Sequence, residues 1–195
     1  MIKRILHYFL HPVFKYLKWY ENFVIPNFKT RVTYFLQERP IINQKFFLTG
    51  EGKITIGEGC MFGYKSGGFN YKGSIEFQAR TKDSEIIIGS NVKTNNNIFI
   101  CSSGRIEIKK DTLIGQGVCI MDFEAHGIPP DKRRNVGEIG FVEIGENVWI
   151  GNNVTILKNS SIGKNSIVAT GAVISGKFPE NVIIGGVPGK VIRSL

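Results

Sequence analysis

The sequence predicts a mainly β chain: a parallel β-helix built from hexapeptide repeats, preceded by a helical segment and interrupted by one extruded loop. Three observations predict it. An aliphatic residue recurs at every sixth position from Ile144 to Ile174, Gly and Asn recur at fixed places in the same hexads, and the period lapses before residue 40 and again after Ile120. A fixed short period of this kind is the signature of a stacked-repeat architecture.

From Ile144 to Pro179 the hexads read IGENVW, IGNNVT, ILKNSS, IGKNSI, VATGAV and ISGKFP. One short strand cannot bury its own apolar face. If the chain turns after each hexad, three hexads make a triangular coil, and the next coil stacks about 4.8 Å above it as parallel strands. Ile144 then stacks under Ile162, and Ile150 under Val168. Gly at the corners supplies backbone conformations other residues resist. Asn147, Asn152 and Asn153 tolerate the same left-handed region. Upstream, Ile56, Ile88, Thr94, Ile100, Ile108, Ile114 and Ile120 keep the register, with slips between Ile56 and Ile88, between Ile100 and Ile108, and after Ile120. Each slip predicts an extruded loop or a partial coil. A β-sandwich with Gly-rich turns is the alternative that six consecutive hexads disfavour.

The formal charge is +9, with Lys3, Arg4, Lys15, Lys18, Lys29, Arg31 and Arg39 facing only Glu21 and Glu38 in the first 40 residues. No zinc-finger, helix-turn-helix or RNA-recognition signature accompanies it, so no nucleic-acid partner is expected. An anionic small molecule or a membrane surface accounts for the charge equally well. Cys60, Cys101 and Cys119 share no metal or disulfide spacing, which fits a reducing cytoplasm, and Cys60 and Cys119, in late hexad positions, are expected to be buried thiols.

Residues 1–40 read as a basic amphipathic helical segment. Ile2, Leu6, Phe9, Val13, Leu17, Tyr20 and Val24 follow helical spacing, and Pro12 bends or divides the helix. No apolar run is long enough to span a bilayer, and no small-residue cleavage site follows the apolar stretch. Two readings stand: a helix that docks on the prism or caps its open end, and a helix lying peripherally on the inner face of a membrane, with Lys on one side and aromatic residues on the other.

After Ile120 the next inward position is His126. The chain runs MDFEAHGIPPDKRRNVGEIGF before the repeat resumes, so a loop is expected over residues 126–143. A neutral imidazole accepts a proton from an alcohol or amine near pH 7 and later releases it. Asp122 and Glu124 are close enough in sequence to orient the ring or hold the imidazolium charge. The plain alternative is a surface histidine with no role.

DFEAHG, IGENVWIGNNVTIL and FPENVIIGGVPGKVIRSL together resemble the hexapeptide-repeat acyltransferases, in the branch of galactoside, maltose and xenobiotic acetyltransferases and bacterial surface-polysaccharide O-acetyltransferases. The resemblance implies a left-handed parallel β-helix, against the usual right-handed crossover. It also implies a homotrimer with active sites between subunits, acetyl-coenzyme A as co-substrate, no metal, and direct attack with His126 as general base. Asn95 falls on the acceptor-contacting Asn. Trp149, Gly151, Asn152, Thr170, Ser175, Lys190 and Arg193 fall on donor-binding positions. The family often carries Lys directly after the position of Ser175; here Gly176 intervenes and Lys177 follows. His126 is followed by Gly127 where Pro is usual.

The organisation expected is a helical segment over 1–40, the acyltransferase β-helix over 41–185, and a coenzyme A-contacting tail over 186–195. The expected reaction is O-acetylation of a sugar hydroxyl in a surface glycan or its precursor. A nucleotide-sugar amine, serine or a xenobiotic alcohol are the other acceptors, and an inert β-helix scaffold is the non-catalytic alternative. A zinc hydratase would need three histidine ligands, and His7 and His11 lie far away in the helical segment.

Overall fold

The computed structural model describes residues 13, 14 and 16–195. Three sheets form the walls of a prism. The first stacks Thr33–Leu36, Lys53–Ile56, Glu85–Ile88, Arg105–Ile108, Phe141–Ile144, Ser160–Ile162 and Lys177–Phe178. The second stacks Ile41–Ile42, Met61–Phe62, Lys93–Thr94, Leu113–Ile114, Trp149–Ile150, Ile167–Val168, Val182–Gly185 and Lys190–Ser194. The third stacks Lys45–Gly50, Ser74–Ala79, Phe99–Ser102, Cys119–Met121, Thr155–Ile156 and Val173–Ile174. Every pairing is parallel except the last, where Lys190–Ser194 runs antiparallel to Val182–Gly185. The expected register holds: Ile144 pairs with Ile162, and Ile150 with Val168.

The period works because each hexad sends one aliphatic side chain inward. Ile144, Ile150, Ile156, Ile162, Val168 and Ile174 are all buried in one continuous core. Corners need positive φ, and Asn supplies it at Asn147, Asn153, Asn159, Asn165 and Asn181. Asn147 Nδ2 donates to Asn165 Oδ1, and Asn165 Nδ2 to Asn181 Oδ1, both at 3.0 Å, so the corner amides form their own ladder. Asn152 is the exception to the sequence reading. It is absent from the positive-φ residues, and its Oδ1 instead accepts from the Gln116 backbone N–H at 2.8 Å.

All three slips have a structural counterpart. Residues 63–73 leave the coil between Met61–Phe62 and Ser74–Ala79. The slip before Ile108 is a short turn at residues 103–104. The third is the excursion after Met121, which ends earlier than expected, because Phe141–Ile144 already pairs with Arg105–Ile108.

At the other end, the first sheet begins at Thr33, so strand replaces helix well before residue 40. The helical segment closes with a π-helical turn, Tyr20–Val24, and a short helix, Ile25–Asn27, around Pro26, which has no N–H to continue the ladder. It docks by a different face from the stripe the spacing suggests. Phe23 is buried against Phe46 and Tyr34, and Asn27 sits on the edge strand, donating to the Phe46 carbonyl at 2.8 Å and accepting from the Leu48 N–H at 2.6 Å. Val13, Leu17 and Tyr20 remain exposed. Ile2, Leu6, Phe9 and Pro12 lie outside the described residues.

Candidate functional site

The excursion at residues 123–140 starts from a buried carboxylate. Asp122 accepts from Ser102 Oγ at 2.6 Å, the Ser103 N–H at 2.8 Å and the Gly104 N–H at 3.1 Å, so it holds the turn that makes the slip in the coil below. Burial raises the Asp122 carboxyl above its ordinary range, against the opposing pull of those donors. The chain then forms an antiparallel stem: Glu124 N–H donates to the Glu138 carbonyl and Gly140 N–H to the Asp122 carbonyl. Lys158 clamps this stem, pairing with Glu124 at 3.3 Å and with Glu138.

His126 stands at the exposed tip side of the stem. Its Nδ1 lies 2.8 Å from the Arg133 carbonyl oxygen. A carbonyl only accepts, so Nδ1 carries the hydrogen and the neutral ring presents a bare Nε2. The orienting role expected of Asp122 and Glu124 therefore falls to a backbone carbonyl. Both carboxylates are committed to the stem, because the antiparallel pairing turns them toward the prism and Lys158.

A second set of expected site residues gathers at the edge between the second and third sheets. Asn95 and Asn152, with Trp149, line a groove of about 300 Å³ that also takes in Tyr64 and Lys93. Asn95 Oδ1 is held by the Asn96 N–H at 2.8 Å, and its Nδ2 has no hydrogen-bond partner among the described residues. Gly151 packs so closely on Thr170 that a Cβ there would lie 2.7 Å from the Thr170 nitrogen. Trp149, Ile167, Ile183 and Arg193 lie in register across the outer face of the second sheet, and Lys190 pairs beside Gly185. Thr170, Lys190 and Arg193 are exposed along this face.

Ser175 and Lys177 belong to neither that groove nor that edge. They sit where the third sheet turns into the first, the same edge from which the His126 stem projects. Gly176 between them has φ of +108°, a conformation in which a side chain is strained.

One chain therefore does not bring the expected residues together. Asn95, Trp149, Gly151, Asn152, Thr170, Lys190 and Arg193 lie on one side, and His126, Ser175 and Lys177 at another edge. Sequence reasoning missed Tyr64, whose only signal was the slip after Ile56. It also missed Lys158, which sits at an unremarkable outward place in ILKNSS and shows no signal of its own.

Residues 141–176 match the bacterial transferase hexapeptide family (six repeats). The chain is 33% identical over 177 residues to the putative lipopolysaccharide biosynthesis O-acetyl transferase WbbJ of Escherichia coli K12, covering 84% of this chain and 82% of that one. It is 34% identical to the galactoside O-acetyltransferase of the same organism over 57% of this chain and 55% of that one. It superposes on the hexapeptide-repeat acetyltransferase of Vibrio cholerae solved with acetyl-coenzyme A, with a TM-score of 0.53, 20% identity, and coverage of 90% of this chain and 76% of that one. The prism is the left-handed parallel β-helix.

Proposed function

Because the chain belongs to the hexapeptide-repeat acyltransferases and is an enzyme of that kind, we propose that it moves an acetyl group from acetyl-coenzyme A to a hydroxyl of a sugar in a surface glycan or its precursor. The observation that carries the reading is the exposed His126, its Nδ1 spent on the Arg133 carbonyl and its Nε2 open. Nε2 takes the hydroxyl proton as the acceptor oxygen attacks the thioester carbonyl. The tetrahedral intermediate collapses with cleavage of the carbon–sulfur bond, and the proton passes from the imidazolium to the departing thiolate. Transfer is direct. Cys60 and Cys101 are buried and pushed up to about 11, so neither offers a thiolate near neutral pH.

The split site supports a homotrimer. In a closed three-fold assembly, the edge carrying His126 of one subunit meets the groove of Asn95 and Trp149 on the next, and each site is completed by two chains. Asn95 Nδ2 is a free donor for the acceptor or the thioester oxygen. Lys190, Arg193 and Lys177 are exposed cations suited to the donor's phosphates. The tail over 186–195 then serves the donor and the β-helix over 41–185 the chemistry.

The helical segment is consistent with a cytoplasmic enzyme held peripherally at the membrane. Phe14, Leu17, Tyr20, Ile25 and Phe28 are exposed beside Lys18 and Lys29, and no helix among the described residues is long and apolar enough to cross a bilayer. The test is coenzyme A release with a polysaccharide precursor as acceptor. Full turnover by His126→Ala would overturn the mechanism.

A further inference from the structure

The insertion at residues 63–73 has two sides. Tyr64 lines the groove that holds Asn95, while Asn70 and Tyr71, at the far end of the same loop, line a separate pocket of about 270 Å³. That pocket is completed by Asn43 and Lys45 from the first coil and Lys18 from the helical segment.

The loop is held rigidly between the two. Asn96, fully buried, donates to the carbonyls of Tyr64 at 3.0 Å and Gly68 at 2.8 Å, and Gln44 Nε2 donates to the Phe69 carbonyl at 2.9 Å. The pocket is thus preformed.

Its chemistry is unpaired. Asn70 Oδ1 is buried with no partner among the described residues. Asn43 is 8% exposed; its Nδ2 is spent on the Gly63 carbonyl, and no hydrogen bond among the described residues reaches its Oδ1. A buried acceptor without a partner, as at Asn70, calls for a ligand or water that supplies a donor. Lys18 and Lys45 enter no ion pair among the described residues, and no carboxylate lines the pocket. Tyr71 is 92% exposed at the rim, a large aromatic face the fold does not use.

We propose that this pocket is a second saccharide subsite, holding an anion-bearing sugar of the acceptor one or more units from the sugar acetylated beside Asn95. The inference rests on the O-acetyltransferase reading and narrows it: the acceptor is an acidic oligosaccharide, not a free neutral sugar. The amide oxygens accept from sugar hydroxyls, the Tyr71 ring covers an apolar pyranose face, and Lys18 with Lys45 meet the anion. The anion is a carboxylate of an acidic sugar or a phosphate of a sugar-phosphate precursor.

Isothermal calorimetry on the full chain tests this independently of turnover. The probes are a glucuronate-containing trisaccharide, the matching neutral trisaccharide and a hexose 1-phosphate. At least one anionic probe is expected to bind roughly ten-fold or more tighter than the neutral one, and to weaken as salt is raised. Lys18→Ala/Lys45→Ala is expected to lose that advantage at an unchanged unfolding midpoint, and Tyr71→Ala to weaken the trisaccharide. Which anionic probe responds identifies the source of the anion. Equal binding of neutral and anionic probes, no binding of any probe, or undiminished binding in the double variant overturns the subsite. Binding with this pattern but without coenzyme A release would instead sink the acetyl-transfer reading and leave the pocket standing.

Discussion

Residues 144–179 and residues 61–144 follow the same six-residue period but use buried polar groups differently. In the regular stretch the buried polar side chains are the two small hydroxyls of Ser160 and Ser166, which donate to backbone carbonyls of the repeat itself, and the corner amides bond to one another on the outside. In the interrupted stretch, polar side chains are buried where the chain leaves the coil: Asn96 under residues 63–73, and Asp122 and Ser102 under residues 123–140. A buried polar group is costly unless fully bonded, and the bonds of Asn96 and Asp122 hold the segments that leave the repeat or the turn beneath them. The regular half builds a wall. The interrupted half spends stability on presenting Tyr64 and His126.

The largest expected effect breaks this contrast on its chemical side. His126→Ala should reduce turnover by about 10²–10⁴-fold, the usual contribution of a general base, while leaving urea unfolding unchanged. In the regular half, Ile156→Ala should leave a cavity in the core and cost about 2–5 kcal/mol, read from the urea midpoint. Asp122→Asn lies between the two kinds. It replaces an acceptor with donors facing the Ser103 and Gly104 N–H groups, and should cost about 1–3 kcal/mol and lower turnover by displacing the stem.

The pH dependence sharpens the Asp122 case. With the folded carboxyl raised, both states are protonated well below the ordinary carboxylate range. Between the ordinary and the raised value only the unfolded chain has ionised, so stability falls as pH rises through that window and levels off above it. Unfolding followed across acid pH should show this decline in the parent and a flatter profile in Asp122→Asn. The smallest effect tests the corner ladder. Asn165→Ala places at φ of +60° a residue that tolerates the left-handed region less well than Asn and removes two side-chain hydrogen bonds, for about 1–2 kcal/mol, again by urea unfolding.

The regular half was readable in advance because its information is local and repeated: each hexad restates where the inside is, so the pairing of Ile144 with Ile162 followed from counting. His126 was readable as a break in that count. Its partners were not, since the Arg133 carbonyl carries no side-chain signature, and Asp122 is satisfied by residues in the coil below. The docking face of the helical segment was not legible for a related reason. Helical spacing marks Val13, Leu17 and Tyr20, while the contact is made by Phe23 and by Asn27, a polar residue whose value depends on a strand edge about 20 residues away. The split of the site over two edges became visible only once the strands were assigned to walls.

Gln44 shows what an insertion demands of the rest of the chain. Where residues 63–73 bulge out, the coil loses the peptide groups that would have met Asn97. Gln44 fills in with its side chain, accepting from the Asn97 N–H at 2.8 Å and donating to Asn97 Oδ1 at 3.0 Å. Its carboxamide acts as a borrowed peptide bond. The inserted segment and a distant amide are therefore coupled, and a carboxylate at position 44 would bring two acceptors to a place that needs one of each.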